Sequence, residues 1–168
     1  MVVFDTGVIQ KLFSQRTSRD DKKRLDHLLQ TLDAARERVI IPTPALAEYL
    51  ALAGTAAPEI VEELRKRSSF VIAPFDQRAA IECALAINRD LSTGDKRGGA
   101  RTTWAKAKFD RQIVAIARAN GAQHIYTEDN DVKKLAQRDG IKASNVAEIE
   151  LPPSDKQESL KFDEPEDK

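Results

Sequence analysis

Val2-Val3-Phe4-Asp5-Thr6 is a short apolar run closed by an acid, and how it is read decides the rest of the chain. A run of strand-favouring residues this short, with no polar alternation, suits a strand buried on both faces, as in a parallel sheet. An unpaired charge abutting such a strand is costly, so Asp5 is hard to dismiss as decoration. Outward from it, apolar runs recur at Val39 to Ile41, Phe70 to Ala73 and Ala122 to Thr127, with a weak last strand beginning over Gly140 to Ala143. Helical patterns fill the intervals. The first runs from about Asp20 to Arg38, with Leu25, Leu28, Leu29, Leu32 and Ala35 on one face. Others run from Thr43 to about Ala53, Pro58 to about Lys66, Asp76 to about Leu91, Trp104 to Asn120, and Val132 to Arg138. Strand and helix in alternation predict βαβ units and a parallel sheet, hence an α/β fold. Thr43 suits an N-cap with Pro44 at the first helical position, Asp76 suits another cap, and Gly54 and Gly121 suit helix ends.

The 168 residues, 41% hydrophobic and 32% charged, describe one globular domain with a tail. No apolar stretch approaches the roughly 20 residues of a membrane span. No secretory signal is visible, and a single cysteine, Cys83, fits a reducing compartment, so a cytoplasmic protein is expected. Basic and acidic residues number 27 each, which removes the argument from overall basicity for a nucleic-acid partner. The balance is uneven, however. Asp155, Glu158, Asp163, Glu164, Glu166 and Asp167 outweigh the three lysines of the tail and leave the body modestly basic. The expected division is a domain over 1–151 and an acidic tail over 152–168, too poor in apolar residues to fold alone.

Three further acids fall where the chain would turn at the carboxyl edge of the sheet. Glu48 lies in Pro42-Thr43-Pro44-Ala45-Leu46-Ala47-Glu48-Tyr49, Asp110 in the helical stretch Asp110-Arg111-Gln112-Ile113, and Asp129 two residues after Thr127. Open α/β sheets bind ligands beyond the carboxyl ends of their strands. Four acids meeting there would repel one another unless a divalent cation sat among them, and hard cations share oxygen ligands with phosphate. The constellation reads as a metal-dependent phosphodiester-cleaving site. Two of the acids alone have a structural explanation: Asp110 could serve the positive end of its helix, and Glu48 could be a solvated helix residue. The joint pattern carries the reading.

In order, Val3-Phe4-Asp5-Thr6, the Pro42-to-Glu48 segment, Phe109-Asp110-Arg111-Gln112-Ile113 and Thr127-Glu128-Asp129-Asn130-Asp131 resemble the PIN-domain nucleases, and among them the small prokaryotic VapC-type ribonucleases. The resemblance covers residues 1 to about 145. It implies a three-layer α/β/α fold with a central, mostly parallel sheet and RNA cleavage with Mg²⁺ or Mn²⁺. It further implies Asp5, Asp110 and Asp129 as metal ligands and Glu48 as a fourth catalytic acid, holding a second ion or orienting water. Thr127 would support them by hydrogen bonding, and Asp131 would either complete the cluster or cap the helix that follows. A toxin role would add an antitoxin protein as partner and leave a homodimer open. One position departs from the family: Gly7 stands where an Asn or Ser usually buttresses the site. A non-catalytic or regulatory RNA-binding module is the alternative that Gly7 motivates. An aspartyl-phosphate hydrolase is excluded, since it needs a second acid at Gly7, and a receiver domain lacks its acceptor at Ala73-Pro74.

Lys96, Arg97, Arg101, Lys106, Lys108 and Arg111 lead into the helix bearing Asp110 and are expected to track RNA phosphates, or else to form a charged connector. Trp104 would stack on a base or anchor its helix to the core. Cys83, His27 and His124 are expected to be structural.

Overall fold

A computed structural model describes residues 1–95, 97 and 102–153. The expected tail from residue 154, and Lys96 with residues 98–101 of the glycine-rich segment, lie outside the described residues. Five parallel strands, β1 (Val2–Phe4), β2 (Val39–Pro42), β3 (Phe70–Ala73), β4 (His124–Tyr126) and β5 (Lys142–Ser144), form one sheet in the order β3-β2-β1-β4-β5. β1 is central. Val3 pairs with Ile40 on one side and Ile125 on the other, and all three residues of β1 are buried. Phe4 meets Tyr126 and Phe70 edge-to-face, at 5.7 and 6.3 Å between centroids. Truncating such a buried ring costs about 3–5 kcal/mol.

The helices are α1 (Thr6–Phe13), α2 (Arg19–Ala34), α3 (Thr43–Ala53), α4 (Ala57–Lys66), α5 (Gln77–Ser92), α6 (Trp104–Ala119) and α7 (Asn130–Arg138). They complete a three-layer α/β/α fold. Right-handed crossovers assign α1–α4 to one face and α5–α7 to the other, and α6 packs against both α5 and α7. The chain winds from β1 outward to β3 and then returns to the far side of β1 for β4. The winding reverses between β1 and β4, and that is where such a sheet opens a crevice.

Several expectations need correcting. No helix was expected over α1, although Val8 and Leu12, and Ile9 and Phe13, stand four apart; Gly7 and the β-branched pair Val8-Ile9 weaken the local propensity. α2 stops at Ala34 rather than near Arg38, because Arg36 turns left-handed (φ 53°) to enter β2, and Ala35 is left exposed. Thr43 does not cap α3. Pro42 holds that position without a side-chain bond, and the Thr43 hydroxyl instead accepts from the Phe75 N–H at 3.3 Å. Asp76 caps α5 as expected, taking the Ala79 N–H at 2.9 Å, and Gly121 adopts φ +67° just beyond α6.

One polar cluster lies inside the helical layer. Asp90 of α5 is fully buried and pairs with Arg111 of α6 at 2.6 Å and Arg138 of α7 at 2.7 Å. It ties the three helices of that face together. No helix among the described residues is long and apolar enough to cross a membrane.

Candidate active site

Asp5 leaves β1 buried, only 5% exposed, with its backbone N–H on the Tyr126 carbonyl. One carboxylate oxygen accepts the Thr6 N–H at 2.7 Å and caps α1; the other accepts the Thr127 hydroxyl at 2.6 Å. That hydroxyl oxygen also accepts the Asp129 N–H at 3.0 Å. A hydroxyl with one proton to give is thereby fixed in orientation, and it joins the ends of β1 and β4. Asp129 caps α7, its Oδ1 taking the Asp131 N–H at 2.7 Å. Asp131 is therefore not the cap. It sits in the first turn of α7, 3.5 Å from the Lys134 ammonium, and is not among the residues lining the cavity described below.

Asp110 is also 5% exposed and lies well inside α6, beyond the first turn. The helix dipole acts within the first turn and so does not account for it. Glu48 reaches over from α3, and its Oε2 accepts the Thr6 hydroxyl at 2.7 Å. Asp5, Glu48, Asp110 and Asp129 thus line one cavity of about 800 Å³ at the reversal point of the sheet, with Leu52 and Phe109 exposed at its margin.

The acids perturb one another. Burial pushes the Asp5 carboxyl up, against its hydrogen bonds from Thr127 and Thr6, and the charges of Asp129 and Glu48 push the same way. Burial likewise raises Asp110 to about 6, assisted by Asp129 and Asp5, with Lys106 opposing. Burial works to raise Asp129 too, but Lys106 and the N–H groups of Asp131 and Val132 hold it below the usual range. The Lys106 ammonium lies 3.1 Å from each Asp110 oxygen and also bonds Oδ2 of Asp129. The donor set is hard oxygen throughout and carries repulsion that one ammonium does not cancel, which fits a divalent cation such as Mg²⁺ or Mn²⁺. As they stand, no three acidic, histidine or cysteine side chains among the described residues form a ready metal cage.

Gly7 has a local reason. A Cβ there would stand 3.0 Å from the Cβ of Glu128, which fills the space a buttressing side chain would take. Glu128 cannot easily yield, since Oε1 accepts the Val146 N–H at 3.0 Å and Oε2 pairs with Lys11 at 3.0 Å. Glu128 lines the same cavity, so the departure at Gly7 is matched by a neighbour rather than left as a gap.

The basic residues separate. Arg111, expected to face phosphates, is 3% exposed and committed to Asp90, so it leaves the nucleic-acid set. Lys108 is exposed, its ammonium 5.9 Å from the centroid of the half-buried Trp104 ring. Arg97 is exposed and donates to the Thr102 carbonyl at 3.3 Å. Lys96 and Arg101 lie outside the described residues. Burial raises the Cys83 thiol, which suits the structural role expected of it. Three residues had no assigned part at the site: Thr6, which holds Glu48; Glu128; and Lys106 as a neighbour of the acids. Of these only Lys106 had a readable signal, its four-residue spacing from Asp110.

A doubly flanked parallel sheet with four carboxylates at its reversal point defines a class of α/β proteins with an acidic crevice. Within it, residues 2–138 match the PIN domain family, and the chain belongs to that family. Solved structures with the same fold include VapBC2 from Rickettsia felis bound to a DNA fragment from its promoter, with TM-score 0.58, 15% identity, and coverage of 86% of this chain and 98% of that one. DNA-bound VapBC from Salmonella typhimurium has TM-score 0.54, 15% identity, and coverage of 86% and 97%. VapC20 from Mycobacterium tuberculosis, a toxin that cleaves the sarcin–ricin loop, has TM-score 0.52, 16% identity, and coverage of 79% and 93%. At such identities the likeness is one of fold. No curated protein sequence matches the chain.

Proposed function

We propose that the chain is an endoribonuclease dependent on Mg²⁺ or Mn²⁺ and serves as the toxin of a toxin–antitoxin pair, with residues 1–151 as its catalytic unit. The observation that carries this reading is the meeting of Asp5, Glu48, Asp110 and Asp129 around one cavity in a PIN domain. Asp5, Asp110 and Asp129 would hold the ion, which would act there as a Lewis acid for water and phosphate. Thr127 keeps Asp5 and Asp129 in register, and Glu48, steadied by Thr6, orients the attacking water. Lys108 and Arg97, outside the crevice, meet the flanking phosphates. The fold neighbours include toxin–antitoxin complexes and a toxin that cleaves RNA, which supports an antitoxin partner and an RNA substrate.

The test is cleavage of a mixed RNA pool by purified protein with Mg²⁺, Mn²⁺ or chelator. Cleavage is expected with metal only, and Asp5→Asn is expected to lower it by orders of magnitude while the protein stays folded. Undiminished cleavage by the folded variant, or in chelator, would overturn the reading.

A further inference from the structure

Lys106 is the only cationic side chain among the described residues that line the acidic cavity. It stands one helical turn before Asp110, so the two share a face of α6. Its ammonium takes both oxygens of Asp110 and the oxygen of Asp129 that is not capping α7. These are the oxygens a divalent ion would need. Asp5, by contrast, is already held by Thr6 and Thr127, and Glu48 by Thr6. The ammonium therefore bridges two acids that lack side-chain support of that kind. Its side chain is 45% exposed, so a change of rotamer releases the head to water without opening the core.

We propose that Lys106 is a tethered counter-cation: it holds Asp110 and Asp129 together before a divalent ion arrives and yields their oxygens when one binds. The inference rests on the metal-site reading above and adds a competition to it. A divalent ion seated on these oxygens repels the ammonium and competes for the lone pairs it now holds, so ion binding works against the present lysine contacts. The protein exchanges some ion affinity for a metal-free crevice that does not repel itself apart. Its tether keeps the displaced ammonium at the cavity mouth.

The experiment is calorimetric titration of the full chain with Mn²⁺ alone, for the unaltered protein, Lys106→Gln and Lys106→Arg, with the melting temperature of each in chelator. Lys106→Gln should bind Mn²⁺ roughly tenfold more tightly, about what two half-exposed ion pairs contribute together. It should melt lower than the unaltered protein in chelator. Lys106→Arg keeps the charge and offers a planar fork to Asp110, so it should bind Mn²⁺ no tighter than the unaltered protein. If the unaltered protein binds Mn²⁺ and Lys106→Gln binds it equally or more weakly, the competition is overturned while the metal site stands. If folded protein and variants all fail to bind Mn²⁺, the metal-site reading falls and this inference with it.

Discussion

Replacing Asp110 by asparagine preserves shape and one acceptor oxygen while removing a charge that the metal-free protein carries at a cost. Burial and the neighbouring acids raise this carboxyl from its ordinary 3.8 to about 6 even with Lys106 beside it. At about 1.36 kcal/mol per pH unit, that rise sets roughly 3 kcal/mol against the ionised form. The group faces an open cavity, where water and salt screen part of this, so about 1–2 kcal/mol is the expected gain. The sign follows from proton linkage. The folded state binds the proton more tightly than the unfolded chain, so wild-type stability is fullest below the ordinary carboxyl range and falls as pH rises toward 6. The advantage of Asp110→Asn should therefore be complete above about pH 7 and shrink toward nothing near pH 4. Urea unfolding in chelator, at several pH values, measures it; in melting temperature the neutral-pH gain should be about 2–8 °C. A variant less stable than wild type at neutral pH, or a gain that does not change with pH, would refute the reasoning.

Gly7→Ser should cost about 1 kcal/mol, because its Cβ meets a Glu128 side chain held by Lys11 and Val146. Glu128→Ala in the same chain should return most of that loss in a double-mutant cycle. Asp90→Asn should destabilise by about 3–5 kcal/mol, since it removes a buried charge that pairs with both Arg111 and Arg138. A denaturation midpoint close to wild type would mean that water reaches the pair.

How far the sequence could be read depended on whether the deciding interaction was local. Val2–Phe4 and Phe70–Ala73 were legible as strands because a short apolar run between breakers has few other uses. The gathering of acids was legible because Asp5 directly follows β1 and Asp129 stands three residues beyond β4, and the sheet edge gathers whatever follows its strands. Arg111 was misassigned because it was grouped with the basic residues Lys106 and Lys108 that precede it on the helix, both exposed, while its partner Asp90 arrives from another helix. Nothing local marks that pairing. The fit of Glu128 over Gly7 is likewise a contact between two strand ends distant in sequence, invisible until β1 and β4 lie side by side. The missed α1 is the opposite case: its spacing was present, but local propensity pointed elsewhere, and packing against α2 and α3 decides it.

The hydrogen bond between Thr127 and Asp5 joins residues 122 positions apart. It has a consequence in time. During synthesis at ~5–20 residues per second, Asp5 emerges some 6–25 s before Thr127 does. β1, β2 and β3 can pair in that interval, but β4 is missing, and one side of the central strand has no partner. An unfinished chain thus carries the first acid without the crevice. For those seconds the backbone edge of Val2–Phe4 that β4 will cover stands open, an unpaired strand edge of the kind that pairs with other chains.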